Sequence, residues 1–132
     1  DLAGDGRLHL IVASGGLYPG DLQTSAVYRP KSSLGNYLNV RLTGVESNCD
    51  AIGARIKLRA GSRDQHRLVS GGSNFGCLPC EQHFGLGELT KVERMEIQWP
   101  NGQQQILEDL PVNTTLGIEE GKPGWRAIYA KK

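Results

Sequence analysis

Glu93-Arg94-Met95-Glu96-Ile97-Gln98-Trp99, followed at once by Pro100-Asn101-Gly102, is the stretch that decides the fold. Met95, Ile97 and Trp99 alternate with Arg94, Glu96 and Gln98, and a strand sends alternate side chains to opposite faces. The pattern is that of a half-buried strand with one wet side. Pro100 cannot donate to a ladder, and Asn101-Gly102 suits the positive φ of a tight turn. A hairpin is therefore predicted, with residues 103–107 returning beside residues 93–99.

The same period recurs on both sides of this hairpin. Residues 37–43 alternate Leu38, Val40 and Leu42 against Asn39 and Arg41. Residues 54–59 alternate Ala54, Ile56 and Leu58 against Arg55, Lys57 and Arg59. Shorter strands are predicted at 8–13, 65–70, 115–119 and 125–130. No window of a dozen residues carries a helical stripe, so essentially no helix is expected. The fold class is all-β, an antiparallel β-sandwich or open barrel.

Composition agrees. The 132 residues suit one core, and the 18 glycines supply the turns that short strands need. Apolar residues make up 38%, a modest share for a globular chain. With 15 Lys and Arg against 14 Asp and Glu, no nucleic-acid footprint is present. No apolar run approaches the roughly 20 residues of a membrane helix, and no membrane insertion is expected. The chain opens on Asp1 without a signal pattern, and Met95 is its one methionine, so it reads as a fragment or processed product. Its parts are expected to be 1–20, a linker at 21–35, a β-domain at 36–121 and a C-terminal strand or tail at 122–132.

Residues 36–120 carry a family pattern. Its pieces are Asn36-Tyr37-Leu38, Ser47-Asn48-Cys49-Asp50-Ala51-Ile52-Gly53-Ala54-Arg55, Ser70-Gly71-Gly72, His83-Phe84-Gly85-Leu86-Gly87 and Trp99-Pro100-Asn101-Gly102. In order and spacing they resemble the ASPIC/UnbV domain, found at the C-terminal end of FG-GAP or VCBS repeat proteins, the cartilage acidic protein-like group among them. Asp1-Leu2-Ala3-Gly4-Asp5-Gly6-Arg7-Leu8-His9-Leu10 resembles the acidic loop and strand that close a repeat of a preceding β-propeller. Such loops commonly hold Ca²⁺ through carboxylates at their first, third, fifth and ninth positions. Asp1 and Asp5 fit, but Ala3 and His9 do not, so Ca²⁺ binding here is expected to be weak or absent. The resemblance implies a secreted, extracellular or periplasmic module for adhesion or recognition, with no catalytic residues and no cofactor. Expected partners are an extracellular protein or glycan and upstream propeller repeats of the same polypeptide.

Three cysteines allow several chemistries. Cys77-Leu78-Pro79-Cys80 could be a redox dithiol, yet no helix follows to acidify a thiol. Cys77, Cys80 and His83, completed by Cys49, have the spacing of a Cys3His zinc site. His83, however, belongs to the family pattern and needs no metal to explain it. For a small extracellular domain the expected role is a disulfide, Cys49 with Cys77 or Cys80, each closing a loop of some 30 residues and adding about 3–4 kcal/mol. An enzyme centred on Cys77, Cys80 and His83 and a purely structural cap of the propeller are the competing readings.

Candidate ligand-binding residues are Asp50, Arg55, His83 and Trp125. Asp50 and Arg55 could hold a sugar or carboxylate, although such pairs more often anchor a loop. His83 reads as a packed, hydrogen-bonded loop residue, with no triad or paired carboxylates beside it. Trp99, Trp125 and Tyr129 could form a sugar-stacking platform; Trp99 lies on an inward face, which leaves Trp125 as the surface candidate. Asn113-Thr114-Thr115 fits the glycosylation acceptor pattern.

Overall fold

The structure is a computed structural model that describes residues 1–2, 4–15, 18, 20, 24–31, 35–72 and 80–130. Among them are ten strands and no helix: β1 (Leu10–Val12), β2 (Ala26–Tyr28), β3 (Asn36–Thr43), β4 (Arg55–Ala60), β5 (Arg63–Leu68), β6 (Gln82–Gly87), β7 (Val92–Gln98), β8 (Gln104–Leu110), β9 (Thr114–Glu119) and β10 (Arg126–Ala130). They form one sheet in the order β10-β9-β3-β6, a second in the order β5-β4-β7-β8, and a separate β1-β2 ribbon. This is the expected all-β sandwich, and neither sheet closes into a barrel. One pairing departs from the antiparallel expectation, because β3 and β9 run parallel from Leu38↔Thr114 to Thr43↔Glu119. Parallel neighbours cannot be joined by a tight turn. Here the intervening chain builds the whole second sheet and β6 before it returns.

One core lies between the sheets. Leu38, Val40 and Leu42 of β3, Phe84 and Leu86 of β6, and Leu116 and Ile118 of β9 meet Ile56, Leu58, Met95, Ile97, Trp99, Leu107 and Leu110 from the opposite sheet. All three alternations read from the sequence point inward as predicted. Burying each large side chain contributes about 1.5–3 kcal/mol. Trp99 also satisfies its indole by donating from Nε1 to Gln105 Oε1 at 3.1 Å. The edge strands β5 and β6 are tied together across the core: Arg67 Nε donates to His83 O, its guanidinium lies 5.0 Å from the Phe84 ring centre, and Gln65 Nε2 donates to Gly85 O. Such ties cover edges that would otherwise invite pairing with another chain.

The β7-β8 hairpin forms where predicted, with Gly102 N donating to Trp99 O and Trp99 N to Gln103 O. Its geometry differs in one respect. Gly102 has φ 91°, whereas Asn101 is not left-handed, so Pro100 and Asn101 occupy the centre of a type I-like turn with Gly102 as the bulge. The strand β6 was not predicted: its Gly85 and Gly87 give the segment the look of a loop. The expected linker also holds a strand, since β2 pairs with β1 from Leu10↔Tyr28 to Val12↔Ala26. The C-terminal piece is an integral edge strand, with β10 paired to β9.

The loop between β3 and β4 is organised by a residue far along the chain. Glu120 is only 4% exposed, and its Oε2 accepts from the backbone N–H of Val45, Glu46 and Ser47 at 2.7, 2.9 and 2.8 Å. The Ser47 hydroxyl donates to Oε1 at 2.7 Å. Burial pushes the Glu120 carboxyl up, but these donors outweigh it and hold the group below the usual range. Downstream, Asn48 brackets Ile52 through both its amide atoms, and Ala51 sits buried at φ 52°. A larger side chain at Ala51 would combine a strained backbone with a full core.

Candidate functional site

The outer face of the β10-β9-β3-β6 sheet holds a groove of about 400 Å³. Alternation makes its floor. With Leu38, Val40 and Leu42 turned inward, β3 presents Arg41 and Thr43 outward; with Leu116 and Ile118 inward, β9 presents Gly117 and Glu119. Two registers then place Arg41 and Arg126 on either side of one residue: Arg41 pairs with Gly117 in β3-β9, and Arg126 pairs with Gly117 in β10-β9.

Gly117 is the informative residue of that row. Glycine inside a strand costs about 0.5–1 kcal/mol relative to alanine, and it often marks a close approach of another group. A Cβ at 117 would meet Ile128 Cδ1 at 3.0 Å and Arg126 Nε at 3.2 Å. The glycine thus lets the Arg126 side chain cross the floor, where a methyl group would crowd it.

The turn after β9 supplies the other wall. Gly121 and Gly124, at φ 73° and 85°, carry the chain around Lys122 and Pro123 to Trp125. Lys122 N donates to Glu119 O, and Lys122 Nζ pairs with Glu119 Oε1 at 2.8 Å. Of the described residues that line the groove, Glu119 is the one carboxylate, and it is already engaged. Among the described residues, no carboxylate pairs with Arg41 or Arg126. Trp125 is 42% exposed at the rim, a large aromatic surface left in water.

Only Trp125 of the four expected ligand residues lines this groove. Asp50 lies exposed in the β3-β4 loop. Arg55 opens β4 on the outer face of the other sheet, in a hollow of about 510 Å³ that includes Leu68, Glu96 and Ile106. His83 is a strand residue, not a loop residue: it stands in β6, half-buried, with Nδ1 2.8 Å from Asn39 Oδ1 and its ring stacked on Tyr37 at 6.1 Å. Burial lowers its pKa below the ordinary histidine value.

The Tyr37 ring has a second neighbour. Its hydroxyl donates to Gly4 O at 3.2 Å, and Gly6 lies against the ring so closely that no Cβ would fit. The acidic loop is thereby seated on the domain. Within it, Asp1 Oδ2 accepts from Gly6 N, and the Asp5 carboxylate is taken by Arg7, which holds its pKa down to about 2. Ala3 falls outside the described residues.

Cys49 and Cys80 are free thiols in the structure, Cys49 exposed and Cys80 half-buried. Cys77 lies outside the described residues, so the pairing of Cys49 with Cys77 does as well. Among the described residues, no group of three His, Cys, Asp or Glu side chains has metal-holding geometry. Asn113, the would-be glycan acceptor, spends its Nδ2 on Asn36 Oδ1 at 2.8 Å while its Oδ1 accepts from Tyr37 N. A glycan there would displace bonds that tie β9's entry to β3.

Sequence reasoning missed Arg41, Gly117 and Arg126. The alternation of β3 does place Arg41 on a wet face, but no local signal reveals that it shares a row with Arg126.

No helix among the described residues is long and apolar enough to cross a membrane. A comparison with curated proteins returns no match. The family comparison does return one, over residues 44–124, which takes in β4 to β9 and the turn that carries Lys122. That span is more than half of the sequence, and the chain belongs to the ASPIC and UnbV family.

Proposed function

We propose that this domain is a non-enzymatic recognition module, working outside the cell or in the periplasm, that binds its ligand in the groove beside Trp125. The observation that carries the reading is a solvent-open trough on a hydrogen-bonded sheet, where an exposed indole adjoins two arginines that have no carboxylate partner among the described residues. Aromatic surface beside a few fixed polar groups is the usual composition of a saccharide or small-ligand site. His83, the natural candidate for acid–base work, instead spends its ring on Asn39 and Tyr37, which argues for packing over catalysis. The seating of Gly4 and Gly6 on Tyr37 supports a second role: holding a preceding repeat against the domain as a structural cap.

The test is retention of the purified chain on a panel of immobilised neutral and acidic oligosaccharides, with Trp125→Ala as the control. The reading expects at least one sugar to retain the parent chain and to lose the variant. Retention of nothing, or of both proteins equally, would contradict it.

A further inference from the structure

We infer that the Arg41-Gly117-Arg126 row is an anion-binding subsite and that the groove takes an acidic saccharide. The anionic group, a carboxylate or a sulfate, would lie between the two guanidinium groups while a sugar face stacks on Trp125. This rests on the recognition reading above and specifies its ligand class.

Three observations converge on it. First, the two registers set Arg41 and Arg126 one strand apart on either side of Gly117, so their Cα atoms are separated by about 10 Å, twice the interstrand spacing. Two long side chains leaning inward from that distance can both reach one anion. Without an anion they only repel, as like charges on one sheet face do. Second, the glycine between them lets the Arg126 side chain lie across the floor beside Ile128, toward Arg41. A Cβ at 117 would meet Ile128 Cδ1 at 3.0 Å and Arg126 Nε at 3.2 Å and push that guanidinium away. Third, the local acid is already committed. Glu119 is neutralised by Lys122, which leaves the trough with a net positive charge of two from Arg41 and Arg126.

Arginine suits this task because its planar fork can offer two parallel N–H donors to a carboxylate or sulfate. The remaining walls favour a sugar over a peptide. Thr43, Glu119 and Lys122 bring hydroxyl, carboxylate and ammonium groups to the groove, and Trp125 offers an exposed aromatic surface at the rim. A peptide would call for a run of apolar side-chain pockets; Ile118 points into the core, and among the described residues the apolar lining beside Trp125 is confined to Pro123 and Ile128.

The experiment is calorimetric titration of the 132-residue chain with trigalacturonate, fully methyl-esterified trigalacturonate, a sulfated disaccharide and pentaglutamate. The proposal expects binding of trigalacturonate or the sulfated disaccharide, and which one binds tells carboxylate from sulfate. It expects affinity to fall as salt rises. Arg41→Gln and Arg126→Gln should each weaken binding about tenfold or more, while circular dichroism shows both variants folded. Equal binding of the esterified trimer, lost only in Trp125→Ala, would overturn the anion subsite and leave the recognition reading standing. Equal binding of pentaglutamate would overturn the saccharide assignment. Binding of neither acidic sugar would overturn the inference, and the immobilised panel would then decide the broader reading separately.

Discussion

The outer faces of the two four-stranded sheets treat charge in opposite ways. On the β5-β4-β7-β8 sheet, Asp64 receives Arg59 at 2.9 Å and Lys57 at 3.3 Å. On the same face, Arg94 spans Glu96 at 2.8 Å and Glu108 at 3.3 Å. These pairs lie side by side on adjacent strands and cancel their own field. On the β10-β9-β3-β6 sheet, Arg41 and Arg126 flank a glycine, and the nearby acid is spent on a lysine. Exposed pairs of the first kind add little to stability, because water and salt screen them. Their effect is to leave those charges without a net demand for a counter-ion. On the other face Arg41 and Arg126 keep such a demand, and that difference is the reason the recognition role is proposed for one side of a shared scaffold.

Because the core is shared, the largest disturbance should abolish both faces together. Trp99→Ala removes a side chain only 2% exposed, together with its bond to Gln105, and should cost about 3–5 kcal/mol in chemical denaturation. Loss of binding with retained stability would show that the faces do not depend on one core.

Next in size is Glu120→Gln. An amide oxygen accepts more weakly than a carboxylate from the three backbone donors of residues 45–47, and the NH2 on the other side forces the Ser47 hydroxyl to switch from donor to acceptor. The melting midpoint should fall by several degrees, and the backbone amides of Val45, Glu46 and Ser47 should lose hydrogen-exchange protection first. Unchanged exchange in that loop would refute the assigned role.

A smaller effect should follow pH. Burial depresses the folded pKa of His83 below the ordinary value of about 6.5, so the unfolded chain takes up the proton first. The stability this histidine contributes is complete above about 6.5 and is lost as pH falls through its folded value. Melting curves between about pH 7.5 and 5.5 should show the loss, and His83→Asn, which can still bond to Asn39, should flatten it. At lower pH Asp64, held to about 2 by its hydrogen bond with Arg59, contributes stability that is present above about 4 and lost as pH falls through about 2. An acid-denaturation curve of Asp64→Asn should lack that component.

The smallest effects separate the faces most cleanly. Arg94→Gln should lower stability by ~0.5 kcal/mol or less, because it leaves Glu96 and Glu108 beside each other. Arg41→Gln should leave stability unchanged or slightly raised, within about 0.5 kcal/mol, because it relieves repulsion with Arg126. Equal losses in urea titrations of the two variants would erase the contrast.

Much of this fold was legible in the sequence, because strand faces are a local property. Leu38/Val40/Leu42, Ala54/Ile56/Leu58 and Met95/Ile97/Trp99 all point inward as their alternation requires. The Pro100-Asn101-Gly102 turn was legible in place but not in detail, since only Gly102 adopts the left-handed backbone. What escaped depends on register or on distant partners. β6 hid behind two glycines, and the β3-β9 pairing joins residues 76 positions apart with no local mark. Glu120 reads as an ordinary acid before a turn, and nothing near it announces the three amides it accepts from. Trp125 was legible because it falls outside any inward alternation. Its arginine neighbours were not, because their row exists only once two registers are fixed.

The central claim is that ligand lands on the Gly117 face and leaves the ion-paired face untouched. The most direct measurement is a nitrogen–proton correlation spectrum of the labelled chain, titrated with trigalacturonate. The account predicts shifts in the amides of Gly117 and Glu119 and in the Trp125 indole, with the amides of Lys57, Arg59 and Arg94 unmoved. Shifts centred on Lys57, Arg59 and Arg94, or spread evenly over both faces, would contradict it.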